Sequence, residues 1–168
     1  MKLHNRMVKA EFWTDIELIR HFSRDQRLFY LGLIQLADDS GCLENDAWAF
    51  KLHLYPLDID LTPDIMADWT RTLISAGKLI PYEAAGKECL FLTNFAKHQS
   101  LKNPQAPTTP LPEWVAWGTY ETNSRSGFYA LDPDKLPVPY ARLTPPLQNT
   151  YALLPIQSNI SKDKLTCS

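Results

Sequence analysis

Apolar positions recur in short blocks whose period switches between that of a helix and that of a strand. The clearest block runs from Leu61 to Thr93. Ile65, Trp69 and Leu73 lie four apart, with Met66 and Ile74 beside them, so residues 62–76 carry one apolar helical stripe. Thr62 can accept from the free N–H groups of the first turn, and Pro63 suits the first helical position, where its missing N–H costs nothing. Gly77 fits a left-handed C-terminal cap. Leu79 to Tyr82 and Cys89 to Thr93 read as strands around the turn Ala84-Ala85-Gly86, where Gly86 supplies positive φ.

Upstream, Thr14 is the expected cap of a first helix, with Glu17 in the reciprocal position and Ile16, Ile19 and Phe22 on the buried side. Ser23 and Gln26 form the same signature for a second helix. Its apolar residues (Leu28, Phe29, Leu31, Leu33, Ile34, Leu36) nearly encircle it, which places it at the centre of a core. Asp38-Asp39-Ser40-Gly41 ends it. Cys42 and Leu43 then suit a short strand paired with the later hairpin, and a third helix from Glu44 to Tyr55 follows, capped by Asn45 or Asp46. Met1 to Ala10 reads as an arm or an edge strand. The predicted order is helix, helix, short strand, helix, turn, helix, strand, strand. That is an α+β chain with winged helix-turn-helix topology, an extra N-terminal helix and a Pro-rich, partly ordered C-terminal extension, in which helix 62–76 enters the major groove and the hairpin is the wing.

Composition shifts at Pro104, since ten of the 13 prolines lie from there onward. The expected organisation is a winged-helix domain over 1–103, a Pro-rich linker over 104–112, an aromatic and Pro-rich extension over 113–156, and a polar, disordered end over 157–168. Trp114 and Trp117 are three apart, so a short helix can dock both on the domain; single-strand base stacking on them is the sharper alternative. The unpunctuated polar end suggests a short or truncated member of its kind. Cys42, Cys89 and Cys167 have no metal-site spacing, and the first two read as small buried residues of a reducing, cytoplasmic setting. No run approaches a membrane span.

Charge sharpens the picture. Residues 1–103 hold 12 Lys or Arg against 14 Asp or Glu, so any positive surface must come from segregation rather than excess. No phosphate loop, HExxH or GxSxG pattern is present, and Asp38-Asp39 and Asp58-x-Asp60 sit where carboxylates commonly cap turns; the chain reads as non-enzymatic, with no cofactor and no metal.

The phrases Lys9-Ala10-Glu11-Phe12-Trp13-Thr14-Asp15, Leu36-Ala37-Asp38-Asp39-Ser40-Gly41, Leu54-Tyr55-Pro56-Leu57-Asp58, Ala76-Gly77-Lys78-Leu79-Ile80-Pro81-Tyr82 and Asn94-Phe95-Ala96-Lys97-His98-Gln99, in this order, resemble the N-terminal winged-helix domain of phage and prophage replication-initiation proteins, the replisome organisers with DnaD-like relatives. The resemblance covers roughly residues 6–103. It implies binding to duplex DNA at an origin, self-association into a homo-oligomer, and recruitment of the host helicase or its loader. Longer members carry a second domain after a linker.

On that reading, Arg71, Thr72 and Ser75 lie on the outer side of helix 62–76, with Lys78 at its exit, and Arg71 can meet a guanine edge or a phosphate. Lys87 starts the second wing strand, and Lys97, His98 and Lys102 lie in a stretch without acidic residues; these would hold phosphates. The alternatives are that Arg71 pairs with Asp68 or faces solvent, and that Lys87 is a solvated turn lysine. Two other functions share the pattern: a protein-interaction or oligomerisation module (a helicase-loader adaptor), and a transcriptional regulator.

Overall fold

The computed structural model describes residues 1–120 and 123–137. Among the described residues, six α-helices, one 3-10 turn (Pro133–Lys135) and two small antiparallel sheets make a mixed α+β architecture. The elements are α1 (Glu11–Thr14), α2 (Ile16–His21), α3 (Arg24–Leu36), β1 (Cys42–Glu44), α4 (Ala47–Leu54), α5 (Pro63–Ser75), β2 (Leu79–Ala84), β3 (Lys87–Leu92), α6 (Phe95–His98), β4 (Val115–Tyr120) and β5 (Asn123–Leu131). Among the described residues, no helix is long and apolar enough to cross a membrane. The readings of residues 138–156 and 157–168, and of Cys167, lie outside the described residues.

Local chemistry sets most element ends. Thr62 accepts from the Ile65 N–H, Pro63 opens α5, and Gly77 follows it at φ 69°. The Gly77 N–H donates to the Ile74 carbonyl and the Lys78 N–H to the Leu73 carbonyl, both at 2.9 Å, the paired bonds of a Schellman ending. Ser23 and Gln26 cap α3 reciprocally. Asp46 caps α4 by accepting from Trp48 and Ala49. That helix therefore starts three residues later than expected, because Glu44 is taken up by β1.

Four expectations change. Asp15, not Thr14, caps the helix that carries the buried leucine, accepting from the Leu18 N–H at 3.1 Å, while Glu11–Thr14 forms a separate turn. Shifting the start by one residue turns Ile16 and Ile19 outward and sends Leu18 and Phe22 into the core. On α3, Phe29, Tyr30, Gly32, Leu33 and Leu36 are buried, whereas Leu28 is exposed, so its apolar surface is a broad face rather than a full circumference. The hairpin turn is Ala85-Gly86, both residues having positive φ (52° and 72°), which matches the right-handed twist of the strands it joins. Trp114 lies in the turn that precedes β4 and Trp117 on β4 itself, not on a helix.

The three-stranded sheet has the order β1-β3-β2, all antiparallel. Strand alternation divides its residues between two apolar clusters. Leu43, Leu79, Leu90 and Leu92 join Phe29, Leu33, Phe50, Met66 and Leu73 of the helices. Cys42, Ile80 and Phe91 face the other way, against Trp114, Val115, Tyr129 and Leu136. Gly41, at φ 80°, admits the chain to this sheet: a Cβ there would lie 2.8 Å from Phe95.

Residues 104–112 have no helix or strand but are held against the domain. The buried Asp38 carboxylate accepts from the Thr108 and Thr109 N–H groups at 3.0 and 2.9 Å and from Ser40. Asp39 accepts from the Gln105 N–H at 2.8 Å. The Tyr82 hydroxyl donates to the Pro110 carbonyl and the Tyr129 hydroxyl to the Gln105 carbonyl, both at 2.6 Å. The carboxylate pair Asp38-Asp39 thus spends its oxygens on backbone N–H groups and on Arg6.

Candidate nucleic-acid interface

The N-terminal arm is tied to the site through the side chains of Arg6, Gln99 and Lys9. Arg6 is buried, donates to the Ala37 carbonyl at 2.8 Å, pairs with Asp39 at 2.9 Å and lies 5.2 Å from the centre of the Phe95 ring. The Gln99 carboxamide accepts from the Met7 N–H and donates to the Met7 carbonyl, at 3.1 and 2.8 Å, so one side chain satisfies both backbone groups as a neighbouring strand would. The arm is a tethered extended segment and forms no strand.

These contacts bring Lys9 beside α6, where its ammonium donates to the Lys97 carbonyl at 2.6 Å. The arm, α1, α2, α3 and α6 border a cleft of about 300 Å³. Lys9, Lys78, Lys97 and His98 line it with Glu11 and Asp15, over a floor that includes Leu18, Tyr30 and Ile34. Lys78, Lys97 and His98, separated by up to 20 positions in sequence, are therefore gathered at one place, and Lys9 joins them. Lys9 escaped the sequence reading because its position depends on the arm, which has no periodicity; the signal available was its place in a basic N-terminus.

Charges in the cleft are unequal in availability. Lys78 is mostly buried and lies 3.4 Å from Asp15. Burial raises the Asp15 carboxyl, but the Leu18 N–H and Lys78 outweigh it and leave its pKa below the ordinary value. Burial first, then Lys97 and Lys9, lowers the His98 pKa, so at pH 7 that imidazole is a neutral hydrogen-bonding group rather than a cation. Lys97 and Lys102 are exposed, and neither makes an ion pair among the described residues.

The outer face of α5 is different. Arg71 is exposed and pairs with Asp68 three residues back. The Thr72 hydroxyl donates to the Asp68 carbonyl at 2.9 Å, and Ser75 is exposed. Asp64 and Asp68 share this surface, both exposed. At the hairpin, Lys87 pairs with Glu44 of β1, and that hydrogen bond raises the lysine's pKa; exposed Glu83 and Glu88 flank it. Arg71 and Lys87 thus each carry a carboxylate partner in the free protein, and neither joins the cleft at the arm. Compared with family models, curated proteins and solved structures, the chain matches none.

Proposed function

We propose that this chain is a non-enzymatic DNA-binding protein of the replisome-organiser type, built on a winged helix-turn-helix, that acts in the replication initiation of a phage or prophage in the cytoplasm. The strand order β1-β3-β2, with α5 leading directly into the β2–β3 hairpin, supports the winged-helix reading, α5 being the recognition helix and the hairpin the wing. The five sequence phrases support the replication reading, with self-association and a host helicase or helicase loader as partners.

The observation that carries DNA contact is the gathering of Lys9, Lys78, Lys97 and His98 at one cleft, followed after α6 by Lys102, which makes no ion pair among the described residues. A row of lysines holds phosphates without reading bases. Arg71 reaches a duplex by exchanging Asp68 for phosphate or guanine, and Lys87 by leaving Glu44, so these contribute less than their charge alone suggests. Binding is backbone-led, with a modest sequence preference from Arg71, Thr72 and Ser75.

A specific observation favours a second reading, the protein-interaction module: the outer face of α5 presents Asp64 and Asp68 where a duplex reader would present cations. Fluorescence anisotropy with labelled random duplex and single-stranded DNA across a salt series tests the two. The expected result is binding that weakens steeply with salt. The double change Lys97→Ala and Lys102→Ala weakens it alike for every sequence and lowers the log–log salt slope by about 2. Arg71→Ala relaxes sequence preference. No binding at low salt refutes the DNA reading and leaves the second.

A further inference from the structure

Helix α4 packs Phe50 into the core, with Ala47 and Leu54 beside it at helical spacing. The opposite side therefore carries Trp48 and Leu52, one turn apart, which are 75% and 68% exposed. Leu57 and Ile59 in the loop that follows are 88% and 95% exposed. Four large apolar side chains within twelve residues, all standing in water, are not explained by the core that the same segment builds.

The segment is held in shape. The Lys51 ammonium donates to the Tyr55 carbonyl and, at 2.8 Å, to the Asp58 carbonyl, so it ties the loop back to α4. The Leu61 N–H donates to the Asp58 carbonyl at 3.1 Å, and the Tyr55 hydroxyl donates to the Asp25 carbonyl at 3.3 Å, fixing the end of α4 to α3. A surface fixed in advance loses little conformational entropy when it is covered.

Charge decides what covers it. Residues 44–60 contain four Asp or Glu and a single Lys, the latter occupied on backbone carbonyls. Asp58 and Asp60 alternate with Leu57 and Ile59 along the chain, Asp46 lies two residues before Trp48, and all three are exposed. Nucleic acid and anionic membrane surfaces are repelled by this rim. A second copy docking through the same face would set one acidic rim against the other, because a two-fold contact pairs a patch with itself. The complement is a segment with apolar anchors on one side and Lys or Arg at its edges.

We propose that Trp48, Leu52, Leu57 and Ile59 form a docking surface for a basic amphipathic helix of a partner protein, the acidic rim selecting for its flanking cations. This goes beyond the DNA reading and uses other residues, so either can fail without the other.

The test uses the full chain and three labelled peptides of about 18 residues, or five helical turns: a Leu/Lys amphipathic helix, the same pattern in Leu/Glu, and a Leu/Lys scramble without an apolar face. Anisotropy should report salt-sensitive binding of the first alone, weakened about tenfold by Trp48→Ala. Ile59→Ser and the pair Asp58→Asn with Asp60→Asn should weaken it as well, whereas Lys97→Ala with Lys102→Ala should not change it. All these positions are exposed, and unchanged melting curves verify the fold. Equal binding of the Leu/Glu or scrambled peptide, or indifference to Trp48→Ala, overturns the proposal. So does self-association in sedimentation that Trp48→Ala abolishes, since the cover would then be another copy of this chain.

Discussion

The two faces of the three-stranded sheet are built by different means. On one, Leu43, Leu79, Leu90 and Leu92 meet helices drawn from the same 100-residue stretch, and the cluster includes Phe29, Phe50 and Leu73 at 0% exposure. On the other, Cys42, Ile80 and Phe91 gain their cover from residues beyond position 110, chiefly Trp114, whose ring meets Tyr82 and Phe91 edge-on at 5.8 and 6.1 Å. The difference teaches that residues 104–120 and 123–136 cover the sheet rather than trail from it. Without them, a face carrying isoleucine, phenylalanine and a thiol would stand in water, and Asp38 would lose the Thr108 and Thr109 N–H groups.

Truncating the two clusters breaks this comparison most directly. Phe50→Ala should cost about 3–5 kcal/mol and unfold both faces together in urea. Trp114→Ala should cost somewhat less, about 3 kcal/mol, because part of the vacated space is open to solvent at the edge of the cluster. It should also speed alkylation of Cys42 by iodoacetamide, which Phe50→Ala does only through global unfolding. If Trp114→Ala leaves both stability and Cys42 labelling unchanged, the second face does not depend on the extension.

Alkaline pH probes the same face more gently. Burial pushes the Cys42 thiol from 9.0 up to about 12, outweighing the opposing influence of the nearby Ser40 and Tyr82 hydroxyls. The unfolded chain then releases that proton before the folded one. The stability contribution is complete below pH 9 and is lost as pH climbs from 9 toward 12. Urea midpoints should therefore fall over this window, and Cys42→Ala should flatten the slope even where it lowers the midpoint. A midpoint independent of pH up to 11 contradicts the burial of Cys42.

The smallest effect is expected at the turn joining β2 and β3, which both faces share. Ala85 holds φ 52°, a left-handed conformation that costs an alanine about 1 kcal/mol. Ala85→Asn should recover up to about 1 kcal/mol, read as a higher urea midpoint, since Asn-Gly is the preferred pair for this turn. Loss of stability would indicate that Ala85 makes a contact beyond the turn.

What sequence alone determined is local. Thr62-Pro63 and Gly77 bound α5 because caps act within one turn of the groups they satisfy. Ser23 with Gln26 does the same for α3, and the i,i+3 spacing made Arg71 with Asp68 a legible alternative to a free arginine. Where two local solutions were comparable, only the tertiary structure chose. Thr14 and Asp15 are both good caps; the selected start points Leu18 into the core and sets Asp15 beside Lys78, 63 positions away. Trp114 and Trp117, three apart, suited a helix until pairing of β4 with β5 drew Trp117 into a strand and left Trp114 in the turn before it. Lys87 meets Glu44 because β1 pairs with β3, and Lys9 meets α6 because Gln99 and Asp39 hold the arm. Charge and burial are properties of what surrounds a side chain, and those surroundings are assembled from distant positions. Elements and caps are therefore readable along the chain, whereas which lysine is free, and which apolar face is covered, is decided only when the chain has packed.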